Sequence, residues 1–558
     1  MKNKMSFKQL LSGILPGLAV AFAGCFMLFF YAPFELYITN HKEFWFTSGQ
    51  MMPVVLVMLF GAFAALALLL CVCRLVNEKL YTAVTALGFA AVLALYVQGN
   101  FLVNNLPGLD GTVVNWGAYP AERIKSLLVW IVALALVLLL IKLLGAKTFR
   151  NVSGLVCLGL TLMLGITVGT LFLTVDEAEK EGSLVSTDKN MFTMSEDGNF
   201  IVMVLDAIDG CVFEEIIYSN DEYMQQLKDF SYYDNAMGGY PYSICSEPFL
   251  MTGQWHEAKT DFQSYVSQAV EASPFLNLLE QQGYTTGVYS ITYPVLWGMP
   301  EGRFDNLTSD QPEVGSNMFM AKLLLKMSII KYAPWDLKFY GYDLFGRLNE
   351  HKVYNGEEGV EYFDWTNISF YRQIKDTNPI TLKDGGYAKF LHLEGGHVPQ
   401  QYDRYLNPSE DATYRSSIEG SLFMLDKYME RLEEAGVYDD TVLVVMSDHG
   451  YASSEDPTLN TLQQHPIILI KGLNERHDEL LMNNAPVSFE DLQLAFQRLL
   501  EGKQSHEVFD WHEGDYRERR FLLYEWTDPN HFEEYVQTGQ AEDMDTLVPT
   551  GRVFDYVG

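Results

Sequence analysis

The chain is 558 residues long, 49% hydrophobic and 20% charged, which excludes a disordered protein and leaves room for two or three folding units. Its net charge of −33 is uneven: residues 1–175 hold 11 Lys/Arg against 5 Asp/Glu, and the remainder stands at −39. So acidic a surface repels polyphosphate and argues against nucleic-acid binding, and six cysteines in this length exclude a disulfide scaffold.

Five long apolar runs come first, at about 12–32, 52–73, 81–97, 126–144 and 152–174. Each approaches the ~20 residues an α-helix needs to cross a bilayer. Together they predict a five-helix transmembrane domain over residues 1–174. The third run is the weakest, being short and carrying Tyr81, Tyr96 and Gln98. Lys2, Lys4 and Lys8 precede the first run, Arg74 and Lys79 follow the second, and Lys142, Lys147 and Arg150 follow the fourth. In the other loops basic and acidic residues balance. This alternation predicts a multi-pass protein of the cell membrane with a cytoplasmic N-terminus and everything after about residue 175 outside.

Residues 175–198 are polar without periodicity and read as a linker. Beyond them lie short continuous apolar runs: Phe200–Leu205, Ala388–Leu393, Thr441–Met446 and Pro466–Ile470. Amphipathic stretches such as Ser273–Gln282 and Ser417–Gly436 separate them. The pattern predicts buried parallel strands with helices on both faces, an extracytoplasmic α/β sandwich over 199–505. Residues 506–558 read as an extension packed on that domain, with a strand at Phe521–Trp526.

Chemistry in such sheets gathers past the C-terminal strand ends. The first run ends in Asp206 and Asp209, the second leads through His392 to His397, and the third ends in Asp448 and His449. Carboxylates with imidazole suit one divalent ion, Mn²⁺ or Zn²⁺. Taken singly, Asp209 reads more simply as a helix N-cap, and His392 equally as a packed strand histidine. The segment GGYPYSICSEPFLMTGQ, residues 238–254, offers Ser243 as a nucleophile that a nearby dication would activate.

The ordered set VLDAID, YPYSICSEP, GGHVPQQY and SDHG resembles the alkaline phosphatase superfamily in its sulfatase-like branch. With five spans ahead of it, the chain resembles membrane lipoteichoic acid synthases and phosphoglycerol or phosphoethanolamine transferases. The resemblance implies a single metal held by Asp206, Ser243, Asp448 and His449, with Ser243 as nucleophile and His397 presented to substrate or leaving group. Trp297 and Arg303 are candidates to line the headgroup pocket. Two departures stand out. Cys245 replaces the motif proline, and Glu247 stands where sulfatases that mature to formylglycine carry arginine.

The expected activity is transfer of a phospho-headgroup from a membrane phospholipid donor to a glycan or envelope-polymer acceptor, through a Ser-linked intermediate. The rivals are a sulfatase or phosphodiesterase-type ester hydrolase, and an inactive membrane sensor or scaffold. Cys211 and Cys245 are expected as separate thiols rather than a bridge. External protease on intact cells is expected to digest the acidic part and spare the N-terminal spans, as read by antibodies against each end. Full protection of the acidic part beside a cleaved external control would reverse the orientation.

Overall fold

The structure is a computed structural model. It describes residues 7–556 except 42–43, 45, 104–105, 107–113, 174–182, 311–312, 343–351, 355, 453–460 and 527. It divides into two compact units, Met1–Lys180 with Pro312–Val353, and Glu181–Gln311 with Tyr354–Gly558.

In the first unit, α1 (Phe7–Phe26) continues through a π-helical turn (Met27–Tyr31) into α2 (Ala32–Thr39). Then follow α3 (Ser48–Val76), α4 (Glu78–Phe101), α5 (Pro120–Leu144) and α6 (Ala146–Phe172). These supply five spans long and apolar enough to cross a membrane. The weakest predicted span, α4, is the most buried of the five. Its polar residues turn inward and find partners, as groups in an apolar medium must. Tyr81 donates to Ile14 O at 3.1 Å and accepts from the Gly17 amide at 3.0 Å, beside the helix-breaking Pro16. Ser126 donates to Gln98 at 2.8 Å. Gly154 of α6 lies against Pro16, where a Cβ would stand 2.8 Å from the proline Cα. Arg74 and Arg150 meet Glu78 at 3.0 and 2.8 Å, so basic loops separated in sequence share one end of the bundle.

Residues 312–353 sit in sequence between strands of the α/β domain, yet group with these helices. The helix Asn317–Tyr332 packs on α2, α3 and α4. Lys331 pairs with Glu35, and Ser328 donates to the Leu28 carbonyl. Gly99 makes room for the Tyr332 ring, which a Cβ there would meet at 2.2 Å. The Trp335 amide donates to Ser126 at 3.0 Å. A short antiparallel pairing of Glu313–Val314 with Lys352–Val353 closes the segment's base. The reading of 199–505 as one continuous domain misses this excursion. NMFMAKLLLKMSIIKY is apolar on most faces, and periodicity cannot say which core accepts such a helix.

The second unit is built on a seven-stranded sheet: β1 (Asn199–Leu205), β2 (Ser231–Tyr233), β3 (Thr285–Tyr289), β4 (Tyr387–Leu393), β5 (Thr441–Met446), β6 (Ile468–Lys471) and β7 (Leu481–Asn483). Their order is β7-β2-β6-β5-β1-β4-β3. β4, β1 and β5 are mutually parallel, as expected; β3, absent from the predicted strands, lies parallel to β4, and β6 runs antiparallel to both neighbours. Alternate residues explain the continuous apolar runs. Phe200, Val202 and Val204 enter one core, and Ile201, Met203 and Leu205 enter the core on the other face. Each such burial is worth roughly 1.5–3 kcal/mol.

Residues 183–198, assigned to the linker, are instead part of this unit: Val185–Ser186 and Thr193–Met194 pair as strands and are buried. Residues 175–182 of that assignment lie outside the described residues. The C-terminal extension forms a three-stranded antiparallel sheet of β8 (Arg519–Leu523), β9 (His531–Gln537) and β10 (Leu547–Asp555). Its Leu522, Tyr524 and Phe532 join the first of the two cores.

Just past β4, Gly395 adopts φ +56°. A Cβ there would lie 2.4 Å from both the amide nitrogen and the carbonyl oxygen of Asp206. Gly395→Ala is therefore expected to cost about 2–4 kcal/mol through backbone strain and overpacking, seen as a lowered thermal midpoint. An unchanged midpoint would contradict this close approach.

Candidate functional site

Three parallel strand ends converge. Asp206 follows β1, and its backbone continues the ladder: its amide donates to Leu393 O at 2.9 Å and its carbonyl accepts from Gly396 at 2.8 Å. Asp448 and His449 follow β5. The amides of Ala207 and His449 donate to Asp448 Oδ1 at 3.2 and 3.0 Å. Ala207 holds φ +56° to do so, backbone strain of the kind that collects at functional sites.

Asp206, Asp448 and His449 offer ligand atoms that lie mutually within 4.8 Å, all buried. Asp206 Oδ1 and Asp448 Oδ2 are buried without a hydrogen-bond partner among the described residues. His449 Nδ1 lies 2.6 Å from the Gly450 carbonyl and must be the protonated nitrogen. That leaves Nε2 bare, 3.6 Å from Asp206 Oδ1 and 3.5 Å from Asp448 Oδ2. Two orphaned carboxylate oxygens facing one imidazole lone pair form a donor set that fits a divalent cation.

Ser243 opens α8 (Ser243–Thr252), and its hydroxyl points to Asp206 Oδ2 at 3.4 Å. Its two rivals in the motif face elsewhere. Ser246 donates to Tyr240 O at 3.1 Å, and Cys245 is fully enclosed, so burial pushes its thiol pKa up. Tyr242, just before the helix, stacks edge-on with Tyr524 and Trp526 of the C-terminal extension and lies 6.3 Å from the His449 ring. The Leu522 amide donates to Gly239 O at 2.9 Å, fixing the loop that delivers Ser243.

His392 lies at the centre of the carboxylates. Its Nε2 is 3.4 Å from Asp206 and 3.7 Å from Asp448, and its Nδ1 is 3.3 Å from Glu247. Burial disfavours its charge, but the three carboxylates outweigh that and hold its pKa well above the usual value. For Asp206 burial acts upward, while the imidazoles around it, His392 through a hydrogen bond as well, outweigh it and bring the carboxyl to about 2. Glu247, on α8, is also held by Ser290 Oγ at 3.0 Å. Glu394 is pushed up to about 7 by burial with Asp364 and Asp206 nearby. The Trp365 ring lies against both His392 and His397, at 6.2 and 5.2 Å.

The candidate pocket residues fare differently. Trp297 lies in the last turn of the helix Tyr293–Gly298, its ring tilted against Tyr293 at 6.3 Å. Arg303 is not brought to the cluster. It bonds Glu280 and Asn277, and its carbonyl accepts from Thr286 near the N-terminal end of β3, opposite the strand ends that carry the site. A lone arginine in a loop gave no signal of which strand end it would reach. Sequence reasoning missed Glu247 as a site residue because it saw there only the absence of arginine.

Residues 382–516 match the Sulfatase family model, a stretch that includes His392, His397, Asp448 and His449. No curated protein matches the chain. Among solved structures, the integral membrane protein lipooligosaccharide phosphoethanolamine transferase A of Neisseria meningitidis is 11% identical, with 89% of this chain and 96% of that chain covered and a TM-score of 0.33. The lipoteichoic acid synthase LtaP of Listeria monocytogenes is 11% identical, with coverage of 64% and 89% and a TM-score of 0.34. An alkaline phosphatase superfamily protein of Vibrio parahaemolyticus is 13% identical, with coverage of 68% and 83% and a TM-score of 0.34.

Asp448→Asn and His449→Ala are each expected to lower metal affinity by at least ~10-fold, measured as metal retained by purified protein after dialysis. Unchanged retention in both variants would place the ion elsewhere.

Proposed function

We propose that this sulfatase-like α/β domain, carried with five apolar helices, is a membrane-anchored transferase. It moves a phospho-headgroup of the phosphoglycerol or phosphoethanolamine type from a phospholipid to a hydroxyl of a cell-envelope glycan. The observation that carries this reading is the Ser243 hydroxyl, at the first residue of a helix and 3.4 Å from Asp206, beside the open Asp206–Asp448–His449 donor set. Asp206, Ser243, Asp448 and His449 would hold one Mn²⁺ or Zn²⁺. Such an ion supplies charge neutralisation at the phosphoryl oxygens and a lower pKa for the serine hydroxyl.

The chain's own residues do the rest. The Ser243 hydroxyl releases its proton to solvent, and its oxygen attacks the donor phosphorus, breaking the bond to the diacylglycerol oxygen. The leaving alkoxide takes a proton from His397, and the headgroup stays esterified to Ser243. An acceptor hydroxyl then gives its proton to His397, which the first step left neutral, and attacks the same phosphorus, and the bond to Ser243 breaks as its oxygen regains a proton from solvent. The N-terminal end of α8, with the positive end of its dipole at Ser243, favours an anionic group there. The basic end of the bundle at Arg74 and Arg150 is read as cytoplasmic, which would put the α/β domain outside.

The hydrolase reading has the family match in its favour. Against a formylglycine sulfatase stands Glu247, a buried carboxylate engaged with His392 at the position of the maturation arginine. Intact Asp206, Ser243, Asp448 and His449 weigh against an inactive scaffold.

Ser243→Ala is expected to reduce release of diacylglycerol from labelled phospholipid by at least ~10³-fold, while Cys245→Ala keeps most of it. Mass spectrometry of protein trapped with donor should place the added group on the Ser243 peptide. An active Ser243→Ala variant, or aryl sulfate cleavage far faster than any phosphodiester turnover, would end the transferase reading.

A further inference from the structure

A second cluster lies apart from the residues used above. Asp209 caps α7 (Gly210–Ser219), its Oδ1 accepting from the Cys211 amide at 3.0 Å. Its Oδ2 is buried with no hydrogen-bond partner among the described residues. Cys211 Sγ lies 3.6 Å from His465 Nδ1. His465 is buried, and its Nε2 is 2.8 Å from the Asp234 carbonyl. A carbonyl can only accept, so Nε2 carries the proton and Nδ1 turns its lone pair to the sulfur. The ring is seated on Gly210, where a Cβ would lie 2.5 Å from it. Gly450 likewise leaves space beside Asp209 Oδ2, which a Cβ would meet at 3.0 Å.

The geometry points to a second metal site, built from Asp209 Oδ2, Cys211 Sγ and His465 Nδ1 and selective for a thiophilic divalent ion of the Zn²⁺ class. A carboxylate oxygen of Asp209, the Cys211 sulfur and a ring nitrogen of His465 lie mutually within 4.8 Å. Tetrahedral zinc with bonds of about 2.3 Å to sulfur and about 2.0 Å to nitrogen requires a sulfur–nitrogen edge of roughly 3.6 Å. The Cys211–His465 separation of 3.6 Å matches it. Glu542 Oε2 lies 3.9 Å from Sγ. Binding releases the thiol proton and leaves a thiolate on the ion, so the donor set gains a negative charge that the dication neutralises. A thiolate and an Nδ1 imidazole set this site apart from the hard, oxygen-rich first one. An ion there ties the Asp206–Asp209 loop to the strand-leading residues His465 and Pro466, which already share a backbone bridge with Asp209 and Gly210.

The test uses full-length detergent-solubilised protein stripped with chelator and reloaded with Co²⁺. The Asp448→Asn/His449→Ala variant should still develop a thiolate-to-cobalt charge-transfer band, because the second site is intact. Cys211→Ser and His465→Gln should each abolish that band and bind about one equivalent less Zn²⁺ than wild type, while Cys245→Ser keeps it. Should a variant fail to fold, alkylation of the wild type decides: Zn²⁺ should protect Cys211 from iodoacetamide, and chelator should expose it. Absence of the band, its persistence in Cys211→Ser, or Cys211 alkylation indifferent to Zn²⁺ would overturn the site. None of these readouts depends on turnover, so failure of the transferase reading leaves them unaffected.

Discussion

Asp206, Glu247 and Asp448 are buried around the single imidazole ring of His392, which touches all three at 3.3–3.7 Å. Moving even one unpaired charge into a protein interior costs several kcal/mol, so this arrangement governs much of what surrounds it. Protonated His392 offsets part of the negative charge but cannot balance three carboxylates. Backbone amides of Ala207 and His449 take one oxygen of Asp448, and Ser290 takes one of Glu247. Asp206 Oδ1 and Asp448 Oδ2 remain without a partner among the described residues, and they are the atoms that face His449. The polar interior therefore asks for a cation on one side of His392 and a fixed carboxylate on the other.

The same logic ties distant parts of the chain together. Glu247 reaches His392 only because α8 begins at Ser243 in the register set by the loop 238–242. That loop is anchored by β8 from the C-terminal extension, through Leu522 and Gly239. Tyr524, buried in the core, and the more exposed Trp526 then pack edge-on against Tyr242, the residue before Ser243. A segment that looks peripheral in sequence thus shapes the approach to the nucleophile.

Much of this was legible from residues whose physics is local. Continuous apolar runs ending in Asp206 and in Asp448-His449 marked β1 and β5, because strands covered on both faces need no polar alternation. Five apolar runs marked the helices, and the polar residues that weakened the third belong to the span most enclosed by its neighbours. What stayed hidden depends on contacts far apart in sequence. Nothing in LHLEGGH separates a packed histidine from one that gathers three carboxylates, and the ring partners of His392 lie on three other segments. The strands Ser231–Tyr233 and Leu481–Asn483 are too short to show a period. The reversed direction of β6 follows from a connection whose middle, 453–460, lies outside the described residues. Arg303 shows the opposite case, a pocket candidate carried over from the resemblance whose side chain bonds Glu280 and Asn277 instead.

The grip of residues 312–353 on the helices has a consequence for how the protein can be shed. A single cut in the 174–182 segment severs the peptide connection ahead of the α/β domain. The helix Asn317–Tyr332 nevertheless stays lodged among α2, α3 and α4, held by the Lys331–Glu35 pair and the Tyr332 ring against Gly99. A nicked molecule behaves as a two-chain complex rather than as an anchor and a free enzyme. Separating the α/β domain from the helices needs a further cleavage on each side of that helix, or its extraction with an apolar surface bared to water. A gene truncated to the acidic part alone inherits the same surface, and with it a tendency to self-associate or to bind detergent.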